Sequence, residues 1–378
     1  MIFMKLILKA FVFLIFCNSA LSQITSNTTI AITKSWSQEP SGWVYPMAIH
    51  VPNINPPSNG FPVTILLHGN GGNGNGMLNQ WVNDISCHVL VSPTGYLNSW
   101  NISNEQSNAP DVEMVTELVN TLQGYSNVNP NKINIIGSSN GAALANRVFI
   151  ENKNSGIATI CSVVSQINQD QYRNNTFYYP SSDTGPALSN NGYDTSTVPL
   201  TGRKYLSICN TNDPIIPYNG GNAVGVNFYP AEQAIFIMAK SQGNTSQQIN
   251  GSGEALGNSV NAFSYLNDQV VLLNGTSQHG LNGTQKNYLL NFIDSDCSEL
   301  TAIDHLKPSF LCYPNPTLGE IFVTPSNCDI EVYNLFGQRI ATSSNGKTDL
   351  SYFPAASYIV KTSSKITSES KTQLVIKK

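Results

Sequence analysis

The sequence predicts an α/β fold with a mostly parallel central sheet, followed by a small all-β sandwich domain. Two observations lead to this prediction. Short β-type runs alternate with stretches of helical period between Val44 and Val163, and again after Arg203, as is typical of a parallel sheet covered by helices. After Asp294 the helical stretches stop, and short strands separated by Gly, Asn and Ser follow.

The alternation gives five pairs of a strand followed by a helical stretch. In residue numbers they are 63–67 with 77–85, 89–91 with 112–122, 133–136 with 142–150, 205–209 with 231–240, and 270–273 with 285–293. Segment 166–203 interrupts the pattern, and it is longer than an ordinary connection. We expect this irregular segment to form a wall or lid over the carboxyl edge of the sheet.

Composition excludes some classes of protein. With 378 residues, 40% of them hydrophobic and 11% charged, the chain is long enough for one large domain and an additional one, and too apolar for long disorder. The 19 basic and 23 acidic side chains give a net charge of -4, and the basic ones form no run. We therefore expect no nucleic acid partner.

The beginning of the chain predicts a secretory signal peptide over residues 1–22. Lys5 and Lys9 precede the apolar run 10–16, and small residues end at Ser22. A retained membrane anchor is the alternative, but the run is far shorter than the roughly 20 residues that span a bilayer. We expect no permanent membrane span.

Six cysteines follow the predicted signal peptide: Cys87, Cys161, Cys209, Cys297, Cys312 and Cys328. An even number in an exported chain favours one or more disulfides, whose pairing the sequence leaves open. No Cys-x-x-Cys spacing occurs, so we expect no metal site of that kind.

A G-x-S-x-G motif follows the third predicted strand, as Gly137-Ser138-Ser139-Asn140-Gly141. A helical stretch comes directly after it. A strand, a sharp turn and a helix are the setting in which this motif presents a nucleophilic serine. Ser139 is therefore the predicted nucleophile, and a Gly/Ser-rich turn without chemistry is the alternative.

A serine hydroxyl needs a base, and in this setting the acid and then the histidine follow the serine along the chain. Three histidines precede Ser139 and a fourth lies in the predicted linker: His50, His68, His88 and His305. This leaves His279 as the predicted base. Asp213, which follows the strand at 205–209, is the predicted acid, and Asp268 is its rival.

Two main-chain N–H groups are predicted to stabilise the oxyanion that forms on a substrate carbonyl. One belongs to Asn140, directly after the nucleophile. The other comes from the glycine-rich loop 68–72, where we favour Asn70. That loop also fits the dinucleotide pattern Gly-x-Gly-x-x-Gly, but no Asp or Glu follows the next strand to bind a ribose.

Aromatic side chains are the predicted substrate contacts. Trp100 follows the loop after the strand at 89–91, while Tyr178 and Tyr179 lie in the long interruption. Aromatic rings over a catalytic edge suit a sugar or an aromatic acyl group, although they could equally pack the insertion against the domain.

Taken together, these residues resemble the secreted polyhydroxybutyrate depolymerase and acetylxylan or feruloyl esterase group of α/β-hydrolases. The matching pieces are Leu66-Leu67-His68-Gly69, Ser99-Trp100-Asn101, Asp111-Val112, Gly137 to Ala142, Asp213 to Gly221 and the loop of His279. The resemblance implies a triad of Ser139, Asp213 and His279 that hydrolyses carboxylic esters without a cofactor.

The tail resembles the C-terminal sorting domain of the bacterial type IX secretion system. Its marks are Tyr313-Pro314-Asn315-Pro316-Thr317 with Gly319, Val332-Tyr333-Asn334 with Gly337, and Ala356-Ser357-Tyr358. The resemblance implies type IX secretion machinery as a partner, and a protein exported through the periplasm that is secreted or held at the cell surface.

We therefore predict an α/β-hydrolase domain over 23–295, a linker over 296–307 and a β-sandwich sorting domain over 308–378. The predicted function is a secreted serine esterase for acetyl or feruloyl esters of polysaccharides or for polyhydroxybutyrate-type polyesters. Two alternatives are a catalytically silent hydrolase-like protein that binds carbohydrate or acts in adhesion, and a serine peptidase on the same scaffold.

Overall fold

A computed structural model describes residues 22–294, 311–324, 328–344, 346–364 and 370–378. The predicted signal peptide, apart from Ser22, and the predicted linker lie outside the described residues. The chain divides into two compact units, Met1–Cys297 and Ser298–Lys378.

The first unit is built around one large sheet. Its strands are β1 (Thr33–Trp36), β2 (Glu39–Val44), β3 (Met47–His50), β4 (Phe61–Leu67), β5 (Val89–Pro93), β6 (Val128–Ser138), β7 (Ile157–Val163), β8 (Tyr172–Arg173), β9 (Thr176–Pro180), β10 (Tyr193–Thr197), β11 (Lys204–Asn210), β12 (Gly221–Ala223), β13 (Val226–Phe228), β14 (Glu254–Gly257), β15 (Val260–Tyr265) and β16 (Val270–Gly275). Its helices are α1 (Gly74–Trp81), α2 (Asp111–Gln123), α3 (Asn140–Glu151), α4 (Ala231–Ser241) and α5 (Gly283–Phe292), with short 3-10 turns at Tyr96–Asn98 and Ser189–Gly192.

Nine strands form the central sheet in the order β14-β15-β16-β11-β7-β6-β4-β5-β3. The six strands from β16 to β5 are parallel to their neighbours, and β3, β14 and β15 at the edges are antiparallel. The prediction of a mostly parallel central sheet is confirmed. Parallel strands place all their carboxyl ends at one edge, and the loops that follow β4, β6, β7, β11 and β16 meet there.

Helices cover both faces of the sheet because side chains on each strand alternate between the faces. On β4, Ile65 joins a core cluster with α2, α3 and α4, whereas its neighbour Leu66 joins a second cluster with α1 and α5. On β16, Leu272 and Leu273 divide in the same way. Every residue of β4 is buried, as expected for a central strand covered on both sides.

The five predicted strand and helix pairs are present with small shifts at their ends, but segment 166–203 is not irregular. It contains a three-stranded antiparallel sheet in the order β10-β9-β8. Asn174 and Asn175 have positive φ values, which asparagine tolerates better than most residues, and they close the tight turn between β8 and β9. The polar composition of the segment therefore reflects hairpin turns.

The cysteines of this unit differ in state. Cys87 is in a disulfide, whereas Cys161 and Cys209 are buried free thiols. Burial raises the pKa of Cys209 to about 12, so both thiols remain protonated and behave as small apolar side chains.

The described residues of the second unit form strands in two antiparallel sheets. The strands are β17 (Leu311–Tyr313), β18 (Glu320–Thr324), β19 (Cys328–Tyr333), β20 (Arg339–Ser343), β21 (Lys347–Asp349), β22 (Ser357–Ser364) and β23 (Ser370–Ile376), in the orders β17-β18-β21 and β20-β19-β22-β23. Ile321 of one sheet and Ile330, Val332 and Val360 of the other belong to one buried cluster. Within the described residues of both units, we find no helix of the length and hydropathy needed to cross a bilayer.

Two helices that begin with glycine give a matched test of packing. A Cβ on Gly74, the first residue of α1, would lie 2.2 Å from the carbonyl oxygen of Ser92. We expect Gly74→Ala to lower the free energy of unfolding by about 2–3 kcal/mol, because backbone atoms of a central strand cannot move aside cheaply. Urea denaturation measures this difference.

Gly283, the first residue of α5, is the control, because a Cβ there meets no atom within 4 Å. We expect Gly283→Ala to change the free energy of unfolding by less than about 0.5 kcal/mol. Equal effects of the two substitutions would show that α1 does not pack on β5 as closely as described.

Candidate active site

Ser139 lies at a strained turn between β6 and α3. Its φ is 54° and its ψ is -116°, a conformation that is costly for a residue with a side chain. The turn is fixed by the Ser139 N–H, which donates to the carbonyl of Val163 at 2.9 Å, and by the Ser139 carbonyl, which accepts from the N–H of Ala142 at 2.9 Å. These bonds raise the hydroxyl above the carboxyl edge of the sheet.

The two glycines of the motif are required by close backbone contacts. A Cβ on Gly137 would lie 2.1 Å from the carbonyl oxygen of Gly141, and a Cβ on Gly141 would lie 2.2 Å from that of Leu67. Neither distance is physically possible. The motif therefore needs glycine at these two positions, because Gly137 packs on the main chain of Gly141, and Gly141 packs on the main chain of β4.

The structure brings the predicted nucleophile, base and acid into one hydrogen-bonded chain. The Ser139 hydroxyl and His279 Nε2 are 2.8 Å apart, and His279 Nδ1 is 2.8 Å from Asp213 Oδ2. With the proton on Nδ1 donated to Asp213, Nε2 carries a lone pair toward the hydroxyl. This is the arrangement needed to remove the serine proton.

The Asp213 carboxylate is buried and is fixed by main-chain hydrogen bonds. Its side chain is 1% exposed, and Oδ1 accepts the N–H groups of Ile215 at 2.8 Å and Ile216 at 3.0 Å. These bonds leave Oδ2 to accept from His279. The rival Asp268 precedes β16, whereas His279 follows that strand, and Asp268 accepts instead from the hydroxyl of Ser264.

The two predicted oxyanion donors lie beside the nucleophile. Asn140 is the first residue of α3, so its main-chain N–H has no acceptor within the helix. Asn70 lies in the loop after β4, and its N–H has no hydrogen-bond partner in the described part of the chain. Both residues line the same cavity as Ser139 and His279.

Trp100 supports the glycine-rich loop 68–72 and does not line the cavity, so the expectation that it contacts substrate is corrected. Its side chain is fully buried, and its indole N–H donates to the carbonyl of His68 at 2.7 Å. The His68 ring packs against the indole with 4.6 Å between centroids. His68 Nδ1–H donates to the carbonyl of Gly69 at 2.7 Å, while Nε2 accepts the N–H of Gly95 at 3.0 Å.

Burial lowers the pKa of His68, so the ring stays neutral and keeps Nε2 as an acceptor. His68 and Trp100 together fix the main chain that leads to Asn70. His68 was excluded as the base because it precedes Ser139 in the chain. The His68-Gly69 pair directly after a buried strand was the feature of the sequence that could have indicated its supporting role.

Glu105 is a further residue that the sequence analysis missed. Its Oε2 accepts three successive main-chain N–H groups, from Ile102 at 3.1 Å, Ser103 at 2.7 Å and Asn104 at 3.0 Å. Its Oε1 accepts from the side-chain amide of Asn140 at 3.0 Å. The carboxylate thus closes loop 102–105 on itself and ties it to the residue after the nucleophile. Nothing in the spacing of the sequence marks this role.

The cavity above the nucleophile has a volume of about 920 Å³. Its lining includes a polar set, which we call the polar wall, and an apolar set, which we call the apolar wall: Ser103, Glu105, Ser165 and Asn168 in the first, and Ile216, Val226 and Phe228 in the second. Tyr178 and Tyr179 lie on β9 and are not among the residues that line this cavity, so the expectation that they contact substrate is corrected. The ring of Tyr178 packs instead under the guanidinium of Arg173 at 3.7 Å. Among the residues described, no group of three or more His, Cys, Asp or Glu side chains is placed to bind a metal ion.

The comparison with protein families identifies the tail. Residues 311–377 match the family of secretion system C-terminal sorting domains. The protein is therefore secreted or lies at the cell surface, and its tail interacts with the secretion machinery. No curated protein sequence matches the chain.

Several solved structures are distantly similar to the first unit. The carboxylesterase of Bacillus cereus has 14% sequence identity and a TM-score of 0.42, and the match covers 66% of this chain and 93% of that one. The phospholipase/carboxylesterase of Dyadobacter fermentans has 14% sequence identity and a TM-score of 0.37, and the match covers 66% of this chain and 96% of that one. The poly(3-hydroxybutyrate) depolymerase LpqC of Bordetella parapertussis has 14% sequence identity and a TM-score of 0.35, and the match covers 50% of this chain and 67% of that one.

Replacement of Glu105 by Gln tests whether its carboxylate holds the loop to Asn140. The substitution places an NH₂ group opposite the NH₂ group of Asn140, so one acceptor is lost. We expect the free energy of unfolding to fall by about 2 kcal/mol, as measured by urea denaturation.

Glu113→Gln is the control, because the Glu113 side chain is 73% exposed and 4.0 Å from its partner Lys34. We expect a change below about 0.5 kcal/mol for this variant. A loss at Glu105 that is no larger than the loss at Glu113 would mean that the contact between Glu105 and Asn140 contributes nothing to stability.

Proposed function

We propose that the protein is a secreted serine carboxylic ester hydrolase with Ser139 as nucleophile, His279 as base and Asp213 as acid. The observation that carries the proposal is the unbroken hydrogen-bonded chain between these three side chains, with two 2.8 Å contacts. It lies in a cavity together with the residues that carry two unpaired main-chain N–H groups. We assign the catalytic domain to 23–295, the linker to 296–307 and a β-sandwich sorting domain to 308–378.

The reaction begins when Ser139 Oγ attacks the ester carbonyl carbon and its proton passes to His279 Nε2. The carbonyl oxygen becomes an oxyanion, which accepts from the N–H groups of Asn70 and Asn140. Asp213 stabilises the imidazolium. When the intermediate collapses, the C–O bond to the alcohol breaks and His279 returns its proton to the alcohol oxygen.

An acyl group now remains on Ser139. A water molecule gives a proton to His279 Nε2 and attacks the acyl carbon, and a second oxyanion forms at the same two N–H groups. Its collapse breaks the bond to Ser139 Oγ, which takes the proton back from His279. The products are a carboxylic acid and the free enzyme.

The polar wall supports an alcohol part that is rich in oxygen. Ser165 and Asn168 are each 2% exposed and line the cavity. Asn168 Oδ1 accepts the N–H groups of Asp170 at 2.9 Å and Gln171 at 3.0 Å. In the described part of the chain, the Asn168 Nδ2 and the Ser165 hydroxyl have no partner. A ligand that covers these two groups without a hydrogen-bond partner would leave them buried and unpaired, so a ligand without oxygen atoms would be bound poorly here.

These residues follow β7, on the side of β6 opposite to β4 and Asn70. We assign this side to the leaving alcohol, because the oxyanion donor at Asn70 takes the carbonyl oxygen toward β4.

Glu105 favours a sugar over a polyester at this wall. Among the residues that the structure describes, only Asn140 donates to its Oε1, and a carboxylate oxygen can accept more. A sugar hydroxyl can donate to it, whereas a polyester chain offers acceptors only. The apolar wall of Ile216, Val226 and Phe228 suits the C–H face of a sugar ring or an acyl chain. We therefore favour acetyl or feruloyl esters of a polysaccharide over hydroxybutyrate polyesters.

Labelling with a fluorophosphonate tests the proposed function, because this reagent modifies a serine only when its hydroxyl is activated. We expect the intact protein to be labelled and to hydrolyse p-nitrophenyl acetate, and Ser139→Ala to do neither. We expect Asp213→Asn to lower kcat by about 10⁴-fold, whereas Asp268→Asn keeps full activity.

An unlabelled protein would instead be a silent hydrolase-like binding protein, and preference for a peptide anilide over p-nitrophenyl acetate would identify a peptidase. Loss of activity in Asp268→Asn but not in Asp213→Asn would refute the assigned acid.

Ser165→Ala tests the favoured substrate, since it removes one hydroxyl and keeps the main-chain carbonyl that accepts from Asn146 Nδ2 at 3.1 Å. We measure kcat/KM for an acetylated methyl xyloside, a hydroxybutyrate dimer and hexyl acetate. We expect the ratio of xyloside to hexyl acetate to fall about tenfold, which corresponds to one lost hydrogen bond.

Ser181→Ala is the control, because Ser181 is exposed and donates to Asp194, and we expect its ratio to equal that of the unmodified protein. An unchanged ratio in Ser165→Ala would contradict the sugar assignment. A tenfold change in kcat/KM that is confined to the hydroxybutyrate dimer would mean that the polar wall binds a polyester.

A further inference from the structure

Asn210 lies beneath the loop that carries His279. It is the last residue of β11 and is 1% exposed. Its side-chain Nδ2 donates to the carbonyl of Gln278 at 2.9 Å and to that of Gly280 at 2.7 Å. The two acceptors are the residues on either side of His279. One amide group therefore holds both ends of the short segment from which the imidazole projects.

The direction of this amide is set by a second buried residue. Gln285 is fully buried, and its Oε1 accepts the N–H of Asn282 at 3.0 Å in the capping box of α5. Gln285 Nε2 therefore points the other way and donates to Asn210 Oδ1 at 2.8 Å. Because that oxygen is occupied, Asn210 can present only its NH₂ group to the two carbonyls.

Asn210 also contacts the loop of the acid. Its main-chain carbonyl accepts the N–H of Asp213 at 3.2 Å. Space for the pair of amides exists because residue 275 is glycine: a Cβ there would lie 2.5 Å from Gln285 Nε2 and 2.9 Å from Asn210 Oδ1. One buried residue therefore binds the loop of the acid through its main-chain carbonyl and the loop of the base through its side-chain amide.

We propose that Asn210 and Gln285 are positioning residues that set the place and angle of the His279 imidazole. Neither touches substrate, and the inference rests on the proposed function of His279. Asn210 acts through the main chain on both sides of His279, and Gln285 acts by keeping the Asn210 amide in its working direction.

Two near-isosteric variants test this proposal. Asn210→Asp keeps the acceptor for Gln285 but replaces the NH₂ group by an oxygen that repels the two carbonyls. Gln285→Glu keeps the acceptor for Asn282 but opposes an oxygen to Asn210 Oδ1, so the Asn210 amide must turn over and present its oxygen to the loop. The second variant disturbs His279 although the substituted residue does not itself bind the loop of His279.

We expect each variant to lower kcat for p-nitrophenyl acetate by about 100-fold, since displacing a catalytic group by about 1 Å has an effect of that size. We expect KM to stay within about twofold, because the cavity walls are unchanged. Fluorophosphonate labelling should slow by the same factor as kcat. Asn212→Ala is the control: its exposed side chain donates to the carbonyl of Thr276 in the same loop at 3.1 Å, and its kcat should match that of the unmodified protein.

A purely structural role would lower the melting temperature and leave kcat of the folded fraction intact, and that result in Gln285→Glu would refute the proposal. If Asn210→Asp fails to fold, Gln285→Glu alone decides. An unmodified protein that neither reacts with the label nor hydrolyses the ester would overturn the proposed function, and with it this inference.

Discussion

The site depends on one backbone constraint, the left-handed conformation of Ser139 between a buried strand and a helix. A serine at this φ is unfavourable by itself, and it is maintained because the surroundings are rigid. Val163 on one neighbouring strand receives its N–H, and Leu67 on the other leaves no space beside Gly141. The parallel sheet therefore serves the site by supplying fixed atoms on both sides of one turn.

The loops around this turn are held by main-chain contacts to buried polar side chains. Glu105 gathers three N–H groups of its own loop, Trp100 binds the carbonyl of His68, and Asn210 binds two carbonyls beside His279. Each such side chain supplies a hydrogen-bond partner to main-chain groups of a loop. A loop fixed in this way loses little entropy when substrate arrives, because its ordering has already occurred on folding.

The sequence predicts the parts of this structure that depend on local pattern. Strand and helix periods located the central sheet, and the motif around Ser139 with the chain order of acid and base led to the three side chains that the structure brings together. The supporting contacts between distant parts of the chain could not be predicted from local pattern: Asn210 and Gln285 are 75 positions apart, and Trp100 and Asn140 are 40 apart.

Aromatic character was misleading at Trp100 for a related reason. The residue type indicates a large apolar surface, but whether that surface faces a cavity or the core depends on neighbours from other strands. The hairpins of segment 166–203 were missed because their polar, turn-rich composition resembles that of irregular loops. Long-range geometry, and not residue type, decides both cases.

Two free thiols in the described part of the first unit have a consequence for a protein that leaves the cell. Cys161 and Cys209 lie on adjacent strands, yet Cys161 belongs to the core on one face of the sheet and Cys209 to the core on the other. A bond between their sulfur atoms would have to pass through the sheet, so it can form only in a chain that has not yet folded. Premature oxidation would thus trap a molecule that is unable to assemble its core, and formation of the sheet before the thiols are oxidised protects the protein during export.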